Sequence, residues 1–189
     1  APDATVHIDE SDPRLNLRTQ GVVGLDLTQT HFNDFGQPLR VEHLSSSGER
    51  VTKVTHEYDG FGRRMRTVDQ NGKRTEFTYD LFDRVALIAE TPPGGQAQRK
   101  TVLGYAPGSS EVRVASITVD GVALATRAFD DLGRLQSQQR GSGKPTHWQY
   151  GPGSLLPSSS TSPRGHVDRH TYDPHLGQVV RSTLEKRPA

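Results

Sequence analysis

The stretch YDGFGRRMRTVDQNGKRTEFTYDLFDR, residues 58–84, contains the pattern that decides the fold. An aromatic residue and an Asp open a short turn-like cluster at Tyr58, and the same opening returns at Tyr79. The stretch also holds six basic and five acidic residues. It can therefore be interpreted as a charged chemical site or as a structural repeat, and the rest of the chain discriminates between the two.

The aromatic-led cluster recurs along the chain at intervals of 21 to 26 residues, a spacing typical of repeat architectures. Five clear copies begin at Phe32 (FNDFGQPL), Tyr58 (YDGFGRRM), Tyr79 (YDLFDRVA), Phe129 (FDDLGRLQ) and Tyr172 (YDPHLGQV), and two degenerate copies begin at Tyr105 (YAPGSSEV) and Tyr150 (YGPGSLLP). A glycine precedes most copies by seven to ten residues, as Gly72 precedes Tyr79. Each unit is thus interpreted as glycine, strand, aromatic turn, strand.

The residues after each aromatic are those that a tight turn requires. The Asp59 carboxylate can accept a hydrogen bond from a backbone N–H two residues on, and Gly62 suits a position of positive φ. Other copies have equivalent pairs, namely Asn33 with Gly36, Asp80 with Asp83, Asp130 with Gly133, and Asp173 with Gly177. Asp83 takes the glycine position in its copy, and Gly177 comes one residue later than the other glycines. We therefore predict that these acids form turns.

The strands between the turns alternate in a period of two. Large side chains such as Phe77 and Trp148 stand two residues before an aromatic, whereas small or polar residues stand one before it. The pattern predicts an all-β fold, with tandem β-hairpins in an elongated, twisted antiparallel sheet. We expect an irregular lead-in at 1–20, an array of about seven hairpin units at 21–181, and a tail at 182–189.

Composition excludes several classes of protein. The 23 basic residues nearly balance the 22 acidic ones, so nothing attracts nucleic acid over long range. No apolar run is long enough to predict a membrane span. There is no cysteine and only 31% of residues are hydrophobic, which favours a repeat structure with a thin core over a compact globule.

YDGFGRRM, FDDLGRLQ and PRGHVDRHTYDPHLGQV resemble the YD repeat of the Rhs family. That family includes the shell-forming B and C components of bacterial insecticidal toxin complexes, Rhs polymorphic toxins and the animal teneurins. The resemblance covers roughly residues 21–181 and implies a segment of a secreted bacterial shell that encapsulates a toxic or unfolded cargo polypeptide. Its implied partners are the rest of that shell and the cargo. The departures from the pattern are Tyr105 and Tyr150, which lack the Asp, and Asp83, which replaces a glycine.

Chemical sites have weaker support in the sequence. HVDRH at 166–170 could offer metal ligands, but His170 occupies the position that Trp148 fills in another copy, which favours packing. We therefore expect no catalytic residue, cofactor or metal, and no enzyme activity. The alternative function is a module that binds carbohydrate or a cell surface by stacking on Trp148 and Tyr150. A sheet of hairpins also leaves unpaired strand edges, which predicts edge-to-edge self-association.

Overall fold

The computed structural model describes residues 6–185, which divide into two compact units. Unit 1 comprises residues up to 79 together with 87–100, and unit 2 comprises 80–86 and the residues from 101 onward. The strands of unit 1 are β1 (His7–Asp12), β2 (Leu17–Val22), β3 (Leu27–Phe32), β4 (Pro38–Leu44), β5 (Arg50–Tyr58), β6 (Arg64–Val68) and β7 (Arg74–Tyr79). Those of unit 2 are β10 (Val114–Val119), β11 (Val122–Phe129), β12 (Leu135–Arg140), β13 (Thr146–Tyr150), β14 (Pro157–Thr161), β15 (Val167–Tyr172) and β16 (Val179–Glu185). Two strands contribute residues to both units: β8 (Val85–Thr91) and β9 (Arg99–Tyr105).

Strand neighbours follow chain order from β1 to β16. Within each unit the consecutive strands pair antiparallel, and a single 3₁₀ turn at Pro93–Gly95 is the only helical element among residues 6–185. This meander confirms the predicted all-β fold of tandem hairpins. The turns alternate along it: the aromatic turns follow odd-numbered strands from β3 onward, and the glycine turns follow even-numbered strands.

Each well-formed turn combines a four-residue turn with a one-residue bulge. After β5, the Gly62 amide donates to the Asp59 carbonyl at 3.0 Å, and the Asp59 amide donates to the Arg63 carbonyl at 2.9 Å. The pairing of β5 with β6 shifts by one residue at Tyr58. This geometry requires positive φ at the fourth turn position. Gly62 has φ of 80°, and Asp83 takes the same conformation with φ of 59°.

The sheet has almost no buried core. Ala89 is the one buried apolar residue among those described, and no large side chain there is fully buried. Three polar residues are buried instead, namely Glu42, Arg84 and Ser159. Stability therefore depends on contacts between neighbouring hairpins, in agreement with the low hydrophobic content.

The predicted irregular lead-in at 1–20 is wrong for residues 7–20. β1 and β2 form a regular hairpin from His7 paired with Val22 to Asp12 paired with Leu17. Two charged residues of this stretch pair across the strands, since Arg18 and Asp9 form a salt bridge of 2.8 Å. Residues 1–5 lie outside the described residues.

The predicted tail at 182–189 is also wrong for residues 182–185, which belong to β16. This strand pairs with β15, with Val167 opposite Glu185, and the Arg169 side chain donates to Glu185 at 3.0 Å. Every residue of β16 is exposed, so buried and exposed side chains do not alternate along it. The sequence pattern therefore could not mark the end of this strand. Residues 186–189 lie outside the described residues.

Candidate functional site: contacts between aromatic turns

The carboxylate that opens an aromatic turn organises the turn's backbone. Asp59 Oδ1 accepts hydrogen bonds from the Phe61 amide at 3.0 Å and the Arg63 amide at 2.9 Å. Asp80 accepts the equivalent pair at 2.8 and 3.0 Å, and Asp130 at 3.1 and 2.9 Å. Two backbone donors that the turn leaves unpaired are thereby satisfied by one oxygen atom.

The other carboxylate oxygen holds an arginine four residues further on. Arg63, Arg84 and Arg134 each donate from Nε to Oδ2 of Asp59, Asp80 and Asp130, respectively, at 2.7 Å. Side-on pairing of a guanidinium and a carboxylate fixes the plane of the arginine. These arginine side chains are only 26%, 8% and 17% exposed. The arginines therefore extend from one turn in a defined direction.

That direction leads to the tyrosine of the next hairpin. The guanidinium carbon of Arg63 lies 4.6 Å from the centre of the Tyr79 ring in unit 1. In unit 2, Arg84 lies 4.1 Å from the Tyr105 ring and Arg134 lies 4.6 Å from the Tyr150 ring. These distances fit cation–π contacts. We call each such group of three residues an Asp–Arg–Tyr cluster.

The arginines of unit 2 also bind backbone carbonyls of the next turn. Arg84 donates to the carbonyls of Ser109 at 2.5 Å and Glu111 at 2.9 Å. Arg134 donates to Ser154 at 2.7 Å and, more weakly, to Gly151 at 3.4 Å. One arginine thus joins the carboxylate of its own turn to the backbone and ring of the following one.

Every tyrosine of the repeat donates its hydroxyl to the preceding hairpin. The acceptor is always the carbonyl of the first residue in the strand that leaves the preceding aromatic turn. The bonds, of 2.7 to 2.9 Å, join Tyr58 to Pro38, Tyr79 to Arg64, Tyr105 to Val85, Tyr150 to Leu135 and Tyr172 to Pro157. The hydroxyl therefore fixes the position of one hairpin against the next.

The pKa shifts agree with these roles. Desolvation raises the pKa of the Asp59, Asp80 and Asp130 carboxyls, but hydrogen bonds from the turn amides and the arginine outweigh it and lower the pKa of all three. Desolvation, with the nearby carboxylate, raises the pKa of Tyr79 and Tyr105. The acids thus stay ionised and the phenols stay protonated donors at neutral pH.

The remaining repeat residues use parts of the same arrangement. In the first copy, beginning at Phe32, Asn33 Oδ1 accepts from the Phe35 amide at 3.0 Å and the Gln37 amide at 2.9 Å. Gln37 replaces the arginine and donates to the Gly62 carbonyl at 2.6 Å. In the last copy Asp173 accepts from the amides of the second and third residues after it. Gly36, Gly133 and Gly177 all have positive φ, as Gly62 has, and Phe129 ends β11 without a hydroxyl.

The two residues considered for ligand stacking are largely committed to the sheet. Tyr150 has Arg134 over its ring and its hydroxyl bound to Leu135. Trp148 is half-buried and lies opposite Ser160 in the pairing of β13 with β14. Among residues 6–185 no group of three or more His, Asp or Glu side chains could hold a metal ion. Over the same residues, no helix has the length and apolarity needed to cross a membrane.

Sequence reasoning missed the arginine and the hydroxyl acceptors. The signal for the arginine is present, because Arg63, Arg84 and Arg134 all stand five residues after an aromatic. The six basic and five acidic residues of 58–84 nearly balance, so charge alone gave the arginines there no specific role. The sequence contains no such signal for the hydroxyl acceptors. The hydroxyl and its carbonyl lie 15 or 20 residues apart, because the strands and the turn between them differ in length.

We expect Tyr58→Phe to lower the free energy of unfolding by about 1 kcal/mol, because the change removes the hydrogen bond to the Pro38 carbonyl and keeps the ring. Urea unfolding followed by circular dichroism measures this. Tyr58→Leu, which also removes the ring, should cost more than Tyr58→Phe. Equal stability of the wild type and Tyr58→Phe would contradict a role for the hydroxyl.

We expect the stability of unit 1 to fall as pH drops below the ordinary histidine pKa. Desolvation, followed by the positive charge of Arg64, lowers the pKa of His56. The unfolded chain therefore binds a proton at this residue at higher pH than the folded chain, so stability is complete above about pH 6.5 and declines below it. Unfolding curves of the wild type and His56→Gln across this window measure the effect, and parallel pH profiles for the two proteins would disprove it.

Three comparisons place the chain among known proteins. The family model RHS Repeat matches residues 58–97. No curated protein matches the chain significantly. Among solved structures, the Photorhabdus luminescens Tc holotoxin pore superimposes with a TM-score of 0.70 at 16% identity, covering 94% of this chain and 10% of that one. A TcdB2-TccC3 structure superimposes with a TM-score of 0.57 at 15% identity, covering 97% and 12% of the two chains.

The chain thus spans about a tenth of the length of the solved chains that it matches. At this identity the likeness establishes the fold alone, and the family model adds one RHS repeat at residues 58–97. That signature covers the Asp59 and Asp80 turns, and the same turn geometry recurs at Asn33 and Asp130 on either side of it. The chain therefore contains an RHS repeat at residues 58–97, within a longer series of turns of the same geometry.

Proposed function

We propose that this chain is a wall segment of a toxin-related shell and acts by steric enclosure of a polypeptide cargo. The observation that carries the proposal is the set of contacts that join each aromatic turn to the next. An Asp–Arg–Tyr cluster uses the same three groups at three of the six steps between aromatic turns, so hairpins can be added in series with the same kind of contact. Such a sheet suits a wall, whose area must grow with the number of repeats.

The chemistry of the described residues supports a structural role over an enzymatic one. The acids that open the aromatic turns, Asp59, Asp80 and Asp130, are each paired with an arginine and two backbone amides. Their pKa values are lowered, whereas a general acid or base acting near neutral pH needs a carboxyl pKa that is raised. We infer that these acids build turns and do not act on a substrate.

The proposal includes the partners and the compartment. The partners are further repeats of a larger shell and a toxic or unfolded polypeptide inside it, and the protein acts outside the cell as part of a toxin-related assembly. Similarity of the fold to Tc toxin components supports this. The carbohydrate-binding alternative has less support, because Arg134 covers the Tyr150 ring and the Tyr172 hydroxyl is bound to Pro157.

Limited proteolysis of the product of the whole open reading frame that encodes this chain tests the proposal. We expect a repeat array that resists protease and shields a second polypeptide segment, which becomes cleavable once mild denaturant opens the array. A glycan array on the same preparation serves as the control for the alternative function. Immediate cleavage of every segment outside the array, or saturable binding to a sugar, would contradict the shell role.

A further inference from the structure

The aromatic turns of unit 2 carry large apolar side chains that are more than half exposed. Each of the five turns, at 80–84, 106–113, 130–134, 151–156 and 173–178, has at least one. The exposed fractions are 100% for Leu81, 57% for Phe82, 76% for Val112, 64% for Leu132, 78% for Leu155 and 72% for Leu176. We call these six residues the apolar turn row.

The opposite edge of unit 2 differs. Its glycine turns at 120–121, 141–145 and 162–166 contain no exposed large apolar residue. Turns at successive odd-numbered strands of an antiparallel meander lie at one edge, and those at even-numbered strands lie at the other. One edge of unit 2 is therefore apolar at its tips and the other is polar.

Turn formation does not require these apolar side chains. Leu132 contributes its backbone amide to Asp130, and Leu176 contributes its amide to Asp173, which any residue except proline could do. A polar side chain at these tips would form the same turn and avoid exposing apolar surface. Contiguous apolar surface of more than a few hundred Å² on a protein marks an interaction site.

We propose that the apolar turn row of unit 2 is a self-association surface, which binds the same row of a second copy of this chain. The inference goes beyond the proposed function and does not depend on it, since two copies can associate whether or not the array encloses cargo.

Spacing favours a second copy as the occupant. Strands are about 4.8 Å apart, so turns at every second strand recur roughly every 10 Å. A facing copy presents apolar tips at the same interval, and the two rows can interdigitate along their length. An amphipathic helix, with a rise of about 5.4 Å per turn, does not match this interval.

Area favours it as well. The acids Asp80 and Asp130 beside the tips are ion-paired with Arg84 and Arg134, which limits like-charge repulsion at those two turns. The six tips expose several hundred Å² of apolar surface, on the order of the ~800 Å² that each partner buries in an interface of standard size. The row thus has the area that an isologous dimer needs.

The test is sedimentation of the chain over a wide range of concentration. We expect a reversible dimer, and we expect the variant Leu132→Ser/Leu155→Ser/Leu176→Ser to raise its Kd by about a hundredfold or more. Circular dichroism and the unfolding midpoint of this variant should match the wild type because its substitutions lie at exposed tips. A matched control, Val122→Ser/Leu124→Ser, removes exposed apolar side chains of β11 and should leave the Kd unchanged.

A second variant separates this surface from the strand edge, where self-association is predicted from sequence alone. Val180→Lys places a charge on β16 and should not change the Kd if the turn row forms the dimer. Dissociation by Val180→Lys and not by the triple variant would overturn the proposal. A strict monomer at every concentration would also overturn the proposal. So would a result in which the wild-type monomer floats with vesicles of phosphatidylcholine and phosphatidylglycerol and the triple variant does not.

Discussion

Arg84→Ala is expected to lower the free energy of unfolding of unit 2 by about 3 kcal/mol. The Arg84 side chain is 8% exposed and donates to Asp80, to the Ser109 carbonyl and to the Glu111 carbonyl. Alanine would leave these acceptors without their donor and remove the contact with the Tyr105 ring. Loss of partners for buried polar groups is among the few causes of large effects from a single substitution.

Two variants make this result interpretable. Arg64→Ala removes an exposed arginine and should change the stability by less than about 0.5 kcal/mol. Arg84→Lys keeps the charge but cannot pair side-on with Asp80 while lying flat on Tyr105, so it should recover little of the loss. Urea unfolding by circular dichroism measures all three, and an Arg84→Ala protein as stable as Arg64→Ala would show that the cluster does not hold the turns together.

The Asp–Arg–Tyr clusters explain why the repeat has the residues it has. The Asp must be ionised to bind both the turn amides and the arginine, and the arginine must be planar to lie against the next ring. Tyrosine is required where a free carbonyl of the preceding hairpin lies within reach, as Leu135 does for Tyr150. Phe32 and Phe129 provide only the ring, so those two steps lack this hydrogen bond.

The sequence predicts the local geometry of this fold well and its contacts between hairpins poorly. Asp59, Gly62 and Asp83 could be placed in a turn because their roles depend on residues within five positions. The partner of Tyr105 could not be placed in the same way, since Val85 lies 20 residues away and the offset depends on the loop that holds Pro93–Gly95. Contacts of this range depend on register, which the pattern of side chains alone did not give.

The exposed turn tips show a second limit of the same kind. Leu81 and Phe82 follow an Asp in a turn, where the sequence indicates only that the backbone bends. Whether such a side chain is buried depends on what lies beyond the turn, and local pattern contains no information about that. The structure leaves Leu81 fully exposed, which the periodicity of the sequence could not predict. This exposure identifies the turn edge as a candidate binding surface.

Gly21→Ala is expected to lower the free energy of unfolding of the first three strands by about 2–4 kcal/mol. Gly21 has φ of 149°, and a Cβ atom there would meet the Asp26 carbonyl oxygen at 2.6 Å and Leu27 Cα at 3.1 Å. Backbone atoms cannot move aside as the end of a flexible side chain can. Amide hydrogen exchange of β1 to β3 measures the effect where it arises.

Gly72→Ala is the matched control, because it separates steric overlap from backbone conformation. Gly72 also has positive φ, of 82°, but a Cβ atom there would meet nothing within 4 Å. Its replacement should therefore cost only the left-handed conformation, about 1 kcal/mol. The difference between the two variants then reports the close approach of β2 to the turn before β3. The pairing of Gly21 with Leu27 places β2 close to β3, although β2 begins inside the stretch expected to be irregular. Equal losses of stability in Gly21→Ala and Gly72→Ala would contradict this close packing.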